Sequence, residues 1–84
     1  MENSREKLIY ILREKCPSVW NIYLTMNQVN VILPNGIEDF THAKETIKTI
    51  VKQSFPFQND DVLFILQSGL MSSALKIQAY RAIL

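Results

Sequence analysis

Cys16, His42 and the adjacent acids Asp60 and Asp61 are the residues of this chain whose types suggest bond-making chemistry. Their placement argues against each use. A Cys16–His42 pair would need a thiolate, and Cys16 falls at the C-terminal end of a predicted helix, where the backbone dipole disfavours an anion. As a lone thiol it reads first as a core residue, the usual place for free cysteine. One Cys and one His fall short of the three or four ligands of a zinc site. Asp60 and Asp61 are consecutive, so they suit the start of a helix or turn better than a facing carboxylate pair. The patterns GxxxxGK[ST], GxGxxG and GxSxG are absent, and Gly36 and Gly69 are the two glycines. Little backbone can therefore cradle a phosphate. The expectation is a non-enzymatic protein with no cofactor and no metal.

Lys44, Lys48 and Lys52 recur every four residues and would form a basic stripe along one side of a helix, where phosphates could bind. Glu45 interrupts that side, and no exposed aromatic accompanies Lys52 to stack a base. The stripe reads as a solvated face before it reads as a nucleic-acid site. Nine basic and eight acidic residues give a net charge of +1, which supplies no bulk attraction to nucleic acid or an anionic membrane.

These residues must be held by a short chain: 84 residues make one domain, 1–84. Hydrophobic content of 48% against 20% charged residues is that of a folded protein. Asn3 and Glu6 form a capping-box variant that opens a first helix to about Lys15, with Leu8, Ile11, Leu12 and Cys16 near one face and Pro17 as its stop. From Pro17 to Ile37 no charged residue or histidine occurs. Alternation there predicts a β-hairpin, with Trp20, Ile22, Leu24 and Met26 on one face and Asn21, Tyr23 and Thr25 on the other. A turn on Asn27 and Gln28 would set Met26 opposite Val29, Leu24 opposite Val31 and Ile22 opposite Leu33. Pro34-Asn35-Gly36 supplies the next turn, centred on Pro34 and Asn35.

Phe40, Ala43, Ile47, Ile50, Val51 and Phe55 mark a second helix, capped by Asp39 or Thr41 and stopped by Pro56. The segment from Asn59 fits two descriptions. Its end signals, Asn59 with Asp60 and Asp61 ahead and Gly69 behind, favour a helix, whereas Val62 to Leu66 also reads as a strand buried on both faces. Leu70, Ala74, Ile77, Tyr80 and Leu84 predict a C-terminal helix. The fold class expected is therefore small α+β: helix, β-hairpin, helix, short helix or strand, C-terminal helix.

Two resemblances follow from these segments. FILQSGLMSSALKIQAYR resembles a helix-turn-helix in Gly69, Leu70 and Leu75, and departs from it at Ile65 and Gln78, where a small and an apolar residue belong. That resemblance implies DNA binding. Val31 to Ile65 resembles the ring-building domains of bacterial secretion systems, with Ile47, Lys48, Val51 and Ser54 matching and the spacing to Val62 one residue short. It implies a helix, hairpin, helix, strand plan and side-by-side assembly through neutral surfaces.

An uncharged hairpin lacks the charges that usually guard an edge strand. The functional expectation is a small adaptor, inhibitor or assembly subunit that binds a protein partner or itself by adding that hairpin's edge to a sheet. Trp20, Tyr23, Thr25, Asn30, Ile32 and Phe57 are its partner-binding residues, Trp20 doubling as a core candidate. Nucleic-acid binding by Lys44, Lys48 and Lys52 or by the helix-turn-helix is one alternative, and a ring-building-type subunit is the other. MENSREKLIYILREKC has no uninterrupted apolar core for a signal peptide, and the uncharged run from Val62 to Leu75 is too short and polar to span a bilayer. A lone cysteine points to a reducing compartment, hence the cytoplasm.

Overall fold

The computed structural model describes residues 4–26, 28–54, 57–58, 61–78 and 80–81. The first helix forms as α1 (Ser4–Lys15), burying Leu8, Ile9, Leu12 and Cys16, with Ile11 packed at the margin. Asn3 lies outside the described residues. The hairpin follows as β1 (Asn21–Thr25) and β2 (Gln28–Ile32), and then comes α2 (Thr41–Ser54). The Asp39 carboxylate accepts a hydrogen bond from the Thr41 N–H at 2.9 Å, and the Lys44 N–H donates to the Phe40 carbonyl. Asp39 is therefore the cap, and it satisfies one of the orphan donors of the first turn. Hydrogen bonds from the Thr41 hydroxyl and then its N–H hold the exposed Asp39 carboxyl below its usual range. Ala43, Ile47, Ile50 and Val51 are the buried stripe of α2; Phe55 and Pro56 lie outside the described residues.

After α2 the strand alternative holds for the first segment and the expected C-terminal helix does not form. Residues 62–68 form a strand, β4 (Val62–Ser68), and the predicted C-terminal helix is instead β5 (Met71–Ile77), paired antiparallel with it. β3 (Phe57–Gln58) and β6 (Tyr80–Arg81) pair antiparallel in a second, two-stranded sheet. Pairing overrides the helical spacing of Leu70, Ala74 and Ile77, because in β5 Leu75 meets Phe64 and Ile77 meets Val62 on the core side. Of the signals read as helix ends, Asn59 and Asp60 lie outside the described residues, and Gly69 and Asp61 serve the hairpin. Gly69, at φ 58°, occupies its two-residue turn with Leu70. Asp61 forms an ion pair with Lys76 at 3.5 Å. The helix-turn-helix layout is thereby replaced by strands.

The main sheet has the order β1-β2-β4-β5, with β2 and β4 parallel at its centre. The parallel join requires a crossover, and α2 supplies it. Ile22, Val29, Val31, Leu33, Val62, Phe64, Leu66 and Leu75 from the sheet and the buried stripes of both helices form one core. Since these strand residues share one face, both helices cover that face alone. Ser68, the buried polar residue on this side, fastens the loop after β2. Its hydroxyl donates to the Pro34 carbonyl at 2.7 Å and accepts from the Ile37 N–H at 2.9 Å.

The first hairpin keeps its predicted faces and changes its register. Leu24 pairs with Val29 and Ile22 with Val31, closing on Thr25 and Gln28. Met26 therefore sits in the turn, 93% exposed and at φ 48°, rather than opposite Val29. Two residues of slippage preserve facing, because side chains alternate with period two. The following turn is likewise moved by one residue, onto Asn35 and Gly36, where Gly36 adopts φ 94°.

Candidate functional site

The face of the sheet away from the helices carries the other half of each strand's alternation. Cross-strand pairing sets its side chains in rows. Tyr23, Asn30, Ile65 and Ala74 form the central row; Asn21, Ile32, Gln67 and Ser72 lie on one side, and Thr25, Gln28, Leu63 and Lys76 on the other. Apolar side chains cluster toward the middle, with Tyr23 37% and Leu63 36% exposed and Ile32 and Ile65 half-buried by their neighbours. Lys76 is the single charge on these three rows, and Asp61 pairs with it.

The polar residues here are tied to one another. The Gln28 amide donates to the Asn30 side-chain oxygen at 3.3 Å, and the Asn30 amide donates to the Thr25 hydroxyl at 2.6 Å. A fixed amide–hydroxyl chain therefore runs through this face, separating Tyr23 from Ile65 and Leu63. It holds its side chains in one arrangement, which lowers the ordering cost of contact with another surface.

Tyr23, Thr25, Asn30 and Ile32 thus come together as predicted residues of one surface. Trp20 does not join them: it packs half-buried against the core and lines a separate recess with Pro17, Leu33, Pro34, Ile37 and His42. Phe57 belongs to β3, and its side chain lies outside the described residues. Leu63, Ile65 and Ala74 complete the patch and were not among the expected residues: the helical reading of the C-terminal segment hid the alternation at Ala74, and the strand reading of Val62 to Leu66 expected both of its faces to be covered.

The edges of the sheet also differ from expectation. A two-residue turn makes Thr25 and Gln28 the pair that exchanges hydrogen bonds, so Ile22 and Leu24 direct their backbone groups away from β2. Arg13 Nε donates to the Ile22 carbonyl at 2.8 Å. A side chain of α1 therefore takes up one outward carbonyl of the edge that had been expected to accept a partner strand.

The chemical candidates are dispersed. Cys16 is buried, and burial pushes its thiol up to about 11, so it is protonated near neutrality. His42 is exposed on α2. Among the described residues no group of three His, Cys, Asp or Glu side chains is placed to hold a metal ion, and no helix is long and apolar enough to cross a membrane. Lys48 and Lys52 line an open groove of about 370 Å³ together with Lys76 from β5. Lys48 is paired with Glu45 at 3.4 Å, and Lys44 is half-buried nearer the start of the helix.

No family model, curated protein or solved structure matches the chain.

Proposed function

We propose that this chain is a non-catalytic protein-interaction module that receives a protein partner on the open face of its sheet. One observation carries the reading: the face built on Tyr23, Ile32, Leu63, Ile65 and Ala74 is free of charge at its centre, where Asn30 lies between Tyr23 and Ile65, and its one lysine is already paired. Depletion of charge at the centre of a patch, with an aromatic side chain present, is the compositional mark of protein-binding surfaces. The partner surface it suits is itself apolar and uncharged. A reduced, buried Cys16 fits a cytoplasmic setting.

The expected mechanism shifts from the edge of the first hairpin to its face, since Arg13 already bonds the outward Ile22 carbonyl. Tyr23→Lys and Ile65→Lys should abolish capture of a partner from the native host and, with the purified partner, remove the calorimetric binding signal. Both variants should retain the circular dichroism spectrum and melting temperature of the parent within a few degrees. Unchanged partner binding in both folded variants rejects the face as the site.

A second reading rests on the groove shared by Lys48, Lys52 and Lys76, which would take the phosphates of a nucleic acid. Binding of labelled duplex or single strand should then weaken steeply with salt and vanish on replacing Lys48 and Lys52 by Glu. A third, assembly into a ring of like subunits, is supported by the order helix, hairpin, helix, strand running through β4. It requires particles of more than two copies by light scattering.

A further inference from the structure

The second edge of the sheet is built differently from the first. Gly69 and Leu70 form a two-residue turn, so Ser68 and Met71 exchange hydrogen bonds. Alternation then turns Ser73, Leu75 and Ile77 toward β4. The N–H and C=O groups of Ser72, Ala74 and Lys76 face outward. Among the described residues no hydrogen bond reaches these outward groups. The strand is seven residues long and contains no proline, glycine or bulge, and its register with β4 is unbroken. Lys76 is its one charge, and Asp61 pairs with it. These are the features of a strand poised to extend a sheet.

We propose that β5 pairs antiparallel with β5 of a second copy about a two-fold axis at Ala74, joining two four-stranded sheets into one of eight. The choice of a second copy comes from the strand's own complementarity. Centred on Ala74, Ala74 meets Ala74, Ser72 meets Lys76, Ser73 meets Leu75 and Met71 meets Ile77. This register uses the outward groups of all three residues on both chains; moving the axis one residue either way leaves one of the three without its counterpart. Lysine never faces lysine, and the two Lys76–Ser72 pairs keep like charges apart. On the helix side, Met71, 48% exposed in the single chain, gains Ile77 of the other copy as a neighbour. The axis stands perpendicular to the sheet, so both open faces lie on the same side and become one continuous surface.

The inference deepens the reading of the chain as a protein-binding module by adding a second copy as partner, and it stands on the edge rather than on the open face. One strand pairing buries less than the roughly 800 Å² per partner of a standard interface, so association should be weak, on the order of 10–100 µM.

Sedimentation equilibrium from about 1 µM to 1 mM should show the 9.7 kDa chain doubling in mass. Ala74→Cys should form a disulfide dimer on mild oxidation, because opposed residues of an exchanging pair have Cα atoms about 5.5 Å apart, within disulfide reach. Ser72→Cys should not, since its own counterpart lies four residues along the partner strand. Cys16 is buried and does not compete. Ser72→Lys should weaken the dimer several-fold and Ser72→Asp should tighten it. Tyr23→Lys should leave dimerisation unchanged, which separates this test from that of the open face. A chain still monomeric at 1 mM overturns the proposal. So does equal crosslinking through positions 72 and 74, or an Ala74→Pro variant that keeps both its fold and its dimer.

Discussion

The two edge strands of one sheet, β1 and β5, differ in how their outward backbone is treated. β1 spans five residues, and one of its outward carbonyls is already bonded by Arg13 of α1. β5 spans seven, and its outward groups meet no described partner. Neither strand carries the row of charges that often guards an edge. Protection at β1 is thus a tertiary feature, delivered by a helix earlier in the chain. Inspection of the strand's own residues gives no hint of it.

The comparison can be broken at the core that both edges share. Phe64 is fully buried in β4, and Phe64→Ala should cost about 3–5 kcal/mol of stability. Urea denaturation followed by circular dichroism and by Trp20 fluorescence should give one coincident transition. Separate transitions would mean that β5 melts independently and that the two edges do not terminate one cooperative unit.

Removing the guard sharpens the contrast. Arg13→Ala should lower stability by about 1 kcal/mol, the worth of a partly exposed hydrogen bond from a charged donor, and should add a second, β1-mediated association to the parent's behaviour in light scattering. If association is unaltered while the fold is kept, then Arg13 is incidental to the edge.

The turns beside the two edges call for opposite substitutions. Met26 holds φ 48° and Gly69 holds φ 58°. Met26→Gly should raise stability by about 0.5–1 kcal/mol, and Gly69→Ala should lower it by a similar amount, both read from denaturation midpoints. The space around Gly69 does not forbid a Cβ, the nearest atom being Asn35 Oδ1 at 3.7 Å, so the cost there is one of backbone conformation.

The smallest effect is expected at Cys16, buried at the end of α1. Its thiol is raised by burial from 9.0 to about 11. Above pH 9 the unfolded chain ionises while the folded chain stays protonated, so the unfolded state binds fewer protons and stability falls as pH rises from 9 to 11. Cys16→Ala should flatten that part of the profile. A slope that persists would assign it to other groups.

Much of the first half of the fold was legible. The 3.6-residue spacing of Leu8, Leu12, Ala43, Ile47 and Val51 located both helices, and alternation through Ile22, Val29 and Val31 located the hairpin. Its register was not legible, since Met26-Asn27 and Asn27-Gln28 are both poor matches to the primed turns and only the closing pair distinguishes them. The second hairpin was misread because capping residues are ambiguous: an acid before and a glycine after an apolar run can bound a helix or a strand that enters a tight turn. Leu63 and Ile65 fitted the strand alternative, which expected cover on both faces, whereas the second face of β4 is open. As interior strand residues they are covered at the sides by β2 and β5 and left open above. Of the expected residues, Tyr23, Thr25, Asn30 and Ile32 lie on one face because they share one parity on one hairpin, and Trp20 is separated from them by the same parity.

The parallel junction between β2 and β4 has a kinetic consequence. Every residue pair in that register is separated by 35 positions along the chain, as in Val29 with Phe64 and Val31 with Leu66. Each hairpin closes over a few residues and can form within microseconds, whereas the central seam must wait for a much longer loop to close. Closure of that seam should therefore be the slow event in refolding. Substitutions at Val31 or Leu66 should slow folding, while those at the Met26 turn should leave that rate nearly unchanged and alter unfolding instead.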